Sequence, residues 1–206
     1  MSSYFCIQCG ASLGTQLASG RQRLVCPECG WTMWSRASLG VGGLLVNEGR
    51  VLFVERNIEP NAGMWTLVNG YVEADETLDQ AVVREFYEET NLQVRTLGLL
   101  AIWQTPAWKA QPDQEISPWD YSNGCWCVFG VELVGPLSDL RPDPVEVRRA
   151  CFYTPHELDD LKPVGSWSRW MAQHALPGDG VLFHQNLDPT LRATLRNPLT
   201  TLYGVK

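Results

Sequence analysis

Between Leu39 and Val68 the chain alternates short apolar runs with polar turns. Val41-Gly42-Gly43-Leu44-Leu45-Val46 and Arg50-Val51-Leu52-Phe53-Val54-Glu55-Arg56 flank Asn47-Glu48-Gly49, which predicts two strands joined as a hairpin. Asn57 to Gly63, with Pro60 and Gly63, reads as a loop, and Met64-Trp65-Thr66-Leu67-Val68 as a further short strand that Asn69-Gly70 breaks. The period then lengthens. Leu78, Val82 and Phe86 recur at helical spacing, and Thr77 followed three residues later by Gln80 is a capping box, so a helix is predicted from about Leu78 through Thr90. Cys125 to Leu133 reads as a core strand with Cys125 and Cys127 on one face. Between them Trp103 to Gly124 is longer than a hairpin requires and carries Trp108, Trp119 and Tyr121. Such a loop is either a lid whose aromatics stack on a planar ligand or a surface packed on a dimer partner. Trp167 and Trp170 stand three apart on a last helix.

Composition narrows the class. The 206 residues, 45% hydrophobic and 19% charged, suit one main domain with a small appendage and exclude disordered, collagen-like and coiled-coil chains. The longest uncharged apolar run, Leu39 to Val46, is far short of the roughly 20 residues of a membrane-spanning helix, and the Met1 start lacks a signal-peptide pattern. A cytoplasmic protein with no membrane partner is expected. Sixteen Lys and Arg against 23 Asp and Glu give a net charge of -7. That balance disfavours extended nucleic-acid binding, and a phosphate ligand would need divalent cations between it and the carboxylates.

Two motifs carry chemistry. Cys6-Ile-Gln-Cys9-Gly10 and Cys26-Pro-Glu-Cys29-Gly30 are CxxC knuckles whose spacing brings four thiolates around one tetrahedral Zn²⁺, each glycine supplying the turn after the second cysteine. With four ligands and no histidine nearby the site serves folding. Only Arg21 and Arg23 are basic in this segment, which is thin for phosphate binding. On the predicted helix Glu85, Glu88 and Glu89 fall on one side, with Arg84 four residues before Glu88. Like charges at that spacing repel; a solvated acidic face is the plain reading of the triplet alone, and a bound Mg²⁺ or Mn²⁺ is the other.

The residues upstream decide between them. Gly70, Glu76 and Arg84-Glu85-Phe86-Tyr87-Glu88-Glu89-Thr90-Asn91-Leu92 resemble the Nudix box, Gx5Ex7REUxEExGU, with Asn91 in place of its second glycine. Asn tolerates the left-handed conformation that ends a helix, so the turn should survive. The resemblance implies an α/β/α sandwich with a mixed sheet, preceded by a zinc ribbon, with Glu146 to Leu158 forming the last strand and the helix after it. It divides the chain into a ribbon at residues 1–34, a Nudix hydrolase domain at 35–160 and a C-terminal extension at 161–206. It makes Glu88 and Glu89 the principal Mg²⁺ ligands, adds the Gly70 carbonyl, and makes Glu85 a general base or further ligand. Arg84 would orient Glu85, and Glu76 would be the outer supporting carboxylate.

A ribbon followed by Arg56-Asn57-Ile58-Glu59-Pro60 and Gly63-Met64-Trp65-Thr66-Leu67 is similar to the zinc-ribbon Nudix group of NADH and plant plastid FAD pyrophosphatases. Ala101 to Trp108 stands where the NADH enzymes carry Ser-Gln-Pro-Trp-Pro-Phe-Pro, which brings the chain closer to the FAD-cleaving type. The implied activity is metal-dependent hydrolysis of the diphosphate linkage in FAD, NAD(H) or ADP-ribose by a homodimer, with Trp103, Trp108 and Trp119 as candidate base-stacking residues. Removal of a nucleotide cap from RNA and a catalytically silent nucleotide sensor are the alternatives.

Overall fold

The computed structural model describes residues 4–34, 37–59, 61–105, 124–174 and 183–184. They fall into two compact units, one ending at Ala37 and the other starting at Ser38.

In the first unit β1 (Gly14–Ala18) and β2 (Arg21–Val25) form an antiparallel hairpin. Its two-residue turn has Ser19 and Gly20 both at positive φ, 50° and 74°, the twist that matches a right-handed ribbon. The knuckles repeat one geometry: the Gly10 N–H donates to the Cys6 carbonyl at 2.8 Å, and the Gly30 N–H to that of Cys26 at 3.0 Å.

The second unit runs β3 (Ser38–Asn47), β4 (Arg50–Arg56), β5 (Trp65–Thr66), β6 (Val68–Tyr71), α1 (Leu78–Thr90), β7 (Val94–Thr105), β8 (Gly124–Leu133), β9 (Val147–Tyr153), α2 (Ser166–His174) and β10 (Phe183–His184). The sheet order is β10-β7-β8-β3-β4-β5, with β6 on β3 and β9 on β4. It is mixed: β3 lies parallel to β8 and antiparallel to β4 and β6.

Strand alternation sorts the core into two layers. Val41, Leu45, Leu52 and Val54 pack with Val82 and Phe86 of α1, whereas Leu44, Val51 and Phe53 pack with Met171 and Ala172 of α2. The helices therefore cover opposite faces, the three-layer α/β/α arrangement expected. Gly43 lets α1 come close, since a Cβ there would lie 2.2 Å from the Phe86 ring. No helix among the described residues is long and apolar enough to cross a membrane.

Three local expectations need correction. Asn69 and Gly70 do not break a strand; they lie within β6, because Gly70 and Asn69 pair with Val41 and Gly42 of β3. Leu158 is fixed by a single helical turn, Glu157–Asp159, and the full helix after β9 is α2. Trp103 belongs to β7 rather than to a loop, held there by pairing with Trp126 of β8.

Candidate active site

Helix α1 begins where its cap says it should. The Gln80 N–H donates to the Thr77 hydroxyl at 3.4 Å and the Gln80 side chain accepts from the Thr77 N–H at 2.8 Å. It ends at Asn91, φ 59°, whose N–H donates to the Tyr87 carbonyl and whose side chain donates to Asp139. Ala81, Val82 and Phe86 enter the core. The carboxylate face is then forced toward β6: Glu85 and Glu89 are 8% and 6% exposed, while the Glu88 side chain is in solvent.

Arg84 organises this face. It grips Glu76 with two donors at 3.0 and 2.6 Å, reaches Glu85 and Glu88 at 2.7 Å each, and donates to the Tyr71 carbonyl at 2.9 Å. That hydrogen bonding holds the Glu76 carboxyl down at about 2. Gly70 is pressed against Glu85; a Cβ at Gly70 would fall 2.0 Å from the Glu85 carboxylate.

Burial acts the other way on the inner pair. It raises the proton affinity of Glu85 against the pull of Arg84, and raises that of Glu89 further, helped by the charges of Glu85 and Glu146. Arg56 and the Asn69 backbone pull the other way on Glu89, whose Oε2 is buried without a partner. Glu85, Glu88, Glu89, Asp143 and Glu146 line one cleft of about 260 Å³.

Asp143 and Glu146 escape sequence reasoning. Their loop is tied to α1 by the Asp143 N–H, which donates to the Glu89 carbonyl at 3.0 Å, and to β4 by the Asn57 N–H, which donates to the Glu146 carbonyl at 2.7 Å. No local spacing announces that pairing. The segment Asp143-Pro144-Val145-Glu146 shows only a turn with two acids.

The strand carrying Gly70 is also fixed from behind. Ser168 of α2, fully buried, accepts from the Leu67 N–H at 3.2 Å and donates to the Thr66 hydroxyl at 3.3 Å, and Asn69 donates to the same hydroxyl at 2.6 Å. Of the predicted stacking residues, Trp103 packs against Trp170 of α2 at 6.3 Å between ring centroids. Trp108 and Trp119 lie outside the described residues. A separate aromatic row, Tyr71, Trp126 and Trp167, runs along the α2 face with successive centroids 5.5 and 6.3 Å apart.

Five converging carboxylates, one with a bare buried oxygen, fit a hard divalent cation that takes oxygen ligands. In the ribbon the sulfurs of Cys6, Cys9, Cys26 and Cys29 lie within 4.8 Å of one another. Cys9 and Cys26 approach to 3.4 Å, close to the edge of a tetrahedron around a metal about 2.3 Å from each sulfur. Backbone N–H groups of Cys29 and Glu28 lower the Cys26 thiol to about 7. That donor set fits a soft, tetrahedral ion.

An α/β/α sandwich with an arginine-organised carboxylate helix against a glycine-bearing strand defines the class of Nudix hydrolases. The family model described as NUDIX domain matches residues 36–175, and the chain belongs to that family. It is similar to the "NAD-capped RNA hydrolase NudC" of Edwardsiella ictaluri, 28% identical over 82% of this chain and 58% of that protein. The protein of the same name from Deinococcus radiodurans is 28% identical over 85% of this chain and 57% of its own length. The chain thus spans less than three fifths of these curated relatives. A crystal structure of a NUDIX hydrolase from Nitrosomonas europaea matches with a TM-score of 0.60 and 27% identity, covering 77% of this chain and 80% of that one.

Proposed function

We propose that the protein is a Mg²⁺- or Mn²⁺-dependent pyrophosphatase that hydrolyses the diphosphate linkage of a dinucleotide cofactor or related nucleoside diphosphate derivative to two monophosphates. One observation carries the reading: the buried, unpartnered oxygen of Glu89 faces a cleft shared with four more carboxylates. A pure binding protein does not require that set. In this reading Glu88 and Glu89 hold the cation, with the Gly70 carbonyl and Glu146 as further ligands. Glu85, its proton affinity raised by burial, accepts a proton from water or adds a ligand. Arg84 positions Glu85, and Glu76 anchors Arg84. Water adds to one phosphorus, the bridging P–O bond breaks, and the released phosphate takes up a proton. A cation bound there supplies charge neutralisation and a more acidic water.

The relatives' names favour NAD-type substrates over FAD. They also favour a second reading, hydrolysis of an NAD-linked RNA terminus. The net charge of -7 weighs against an extended RNA surface, yet a substrate read at its capped end needs little of one. The ribbon is proposed to hold structural Zn²⁺, with the catalytic domain running from about residue 36 through α2. Its cluster of reduced thiols suits a cytoplasmic protein, and the family resemblance suits a homodimer, which light scattering would test.

The deciding experiment is turnover of NADH, NAD, FAD, ADP-ribose and NAD-capped RNA with Mg²⁺ or Mn²⁺, products separated by chromatography. Wild type should release two monophosphates from at least one, and Glu88→Gln and Glu89→Gln should fall by roughly 10² to 10³-fold, the size of lost transition-state electrostatics. Tight nucleotide binding without turnover would replace this reading with that of a sensor.

A further inference from the structure

Arginines of the second unit are committed to partners among its described residues. Arg50 pairs with Glu157, Arg95 with Glu132, Arg148 and Arg149 with Glu55, and Arg169 with Asp159. Arg141 donates to the carbonyls of Ser138 and Leu140, and Arg84 has all its donors turned toward Glu76, Glu85, Glu88 and Tyr71. Arg56 is the exception. Its side chain makes no ion pair or hydrogen bond among the described residues, and its Nε is buried without a partner.

Its place in the fold gives that exception meaning. Along β4, Leu52 and Val54 face α1, so Arg56 continues their side of the strand, and its pairing partner Val147 belongs to the same α1-side core. The next residue, Asn57, is bonded to the Glu146 carbonyl and, through its amide, to that of Pro144, which ties this strand end to the loop lining the acidic cleft. Among the described residues only one other side-chain atom is buried without a partner, Oε2 of Glu89. Arg56 acts electrostatically on Glu89, yet the two form no ion pair.

An arginine and a glutamate that act on each other without forming an ion pair, each with one buried atom left unpartnered, suit a group that is anionic toward one and cationic toward the other. A phosphoryl oxygen carried by a divalent cation is such a group, and the planar guanidinium fork matches its non-bridging oxygens. Arg84, with its donors spent on carboxylates and a carbonyl, is not available for it. We infer that Arg56, beside the cleft, is a substrate-binding residue that takes a non-bridging oxygen of a metal-bound diphosphate. The inference rests on the pyrophosphatase reading above.

The test is calorimetric binding of methylenediphosphonate, a diphosphate that cannot be hydrolysed, to the full chain in Mg²⁺, for wild type, Arg56→Ala and Arg56→Lys. Arg56→Ala should bind about 10 to 100-fold more weakly, the loss of a charged hydrogen-bonding partner. Arg56→Lys, which keeps the charge without the fork, should fall between. Mg²⁺ alone should bind Arg56→Ala no more weakly than wild type, because a neighbouring positive charge has gone, and guanidinium ion should restore part of the variant's lost turnover. Equal diphosphonate affinity in wild type and Arg56→Ala, or no binding by wild type, overturns the inference. So does a lowered melting temperature in both variants with diphosphonate binding intact, which would make Arg56 a structural counterion of Glu89. Absence of any dinucleotide turnover by wild type would instead overturn the pyrophosphatase reading.

Discussion

The thiol cluster of the ribbon and the carboxylate cleft of α1 both gather like ligands, but they do so by opposite means. Each ribbon knuckle is finished within five residues by its own turn, with backbone N–H groups aimed at sulfur and two of the four cysteines buried. The cleft draws from α1 and the 143–146 loop, commits an arginine to part of its charge, and still leaves Glu89 with an unanswered oxygen. A ligand set completed by local turns suits a folding role, whereas buried like charges with one atom bare suit a site that must accept something from outside.

That contrast can be broken most severely at the ribbon. Chelation, or Cys26→Ser, should abolish hydrogen-exchange protection across residues 4–34 while leaving the unit from Ser38 onward protected; structural zinc contributes about 10 kcal/mol or more in small modules. Protection that survives in metal-free protein would show that the knuckles fold unaided. The next largest effect lies in the cleft. Folding raises the proton affinities of Glu85 and Glu89, so their stability contribution is fully present below the unfolded value of 4.5 and is lost as pH rises through the raised folded values. Glu76, held at about 2, contributes stability that is fully present above 4.5 and is lost only as pH falls below it, so its contribution stays flat from pH 5 to 8. The melting temperature of Mg²⁺-free protein should therefore climb by several degrees as pH falls from 8 to 5. Saturating Mg²⁺, or Glu89→Gln, should flatten that slope, and a profile that falls over the same range contradicts the burial argument.

Smaller changes sharpen the picture. Ser168→Ala removes the acceptor of the Leu67 N–H and a donor to Thr66, and chemical denaturation should record a loss of about 1 to 2 kcal/mol. Asn91→Gly relieves a left-handed asparagine but gives up its bond to Asp139, so the two nearly cancel, within about 0.5 kcal/mol in the same assay.

What the sequence discloses follows the same division. Thr77 and Gln80, the triplet Glu85, Glu88 and Glu89, the Asn91 turn and both knuckles are readable because each is written within a turn or two of chain. Asp143, Glu146 and Arg56 are not, since only tertiary pairing between β4, α1 and the loop before β9 brings them together. Asn69-Gly70 looks like a break because its strand character comes from β3, many residues away, and the position of Trp103 on β7 is likewise set by its partner strand. The role of α2 is hidden for a related reason: Ser168 is an unremarked polar residue until it meets Leu67 and Thr66 across the fold.

The parallel pairing of β3 with β8 bears on the order in which the chain can assemble. As synthesis proceeds, β3 can acquire β4 and β6 at once, but the edge spanning Ser38 to Leu45 waits until Gly124 to Val131 has been made. Until then Val41, Leu44 and Leu45 sit on a strand with one unpaired side, and α1 rests on an unfinished floor. Closing so distant a contact is slow compared with forming the hairpin. The helix that carries the acidic residues is thus completed early in time and placed late, and a nascent chain halted before β8 exposes a sticky strand edge to its neighbours.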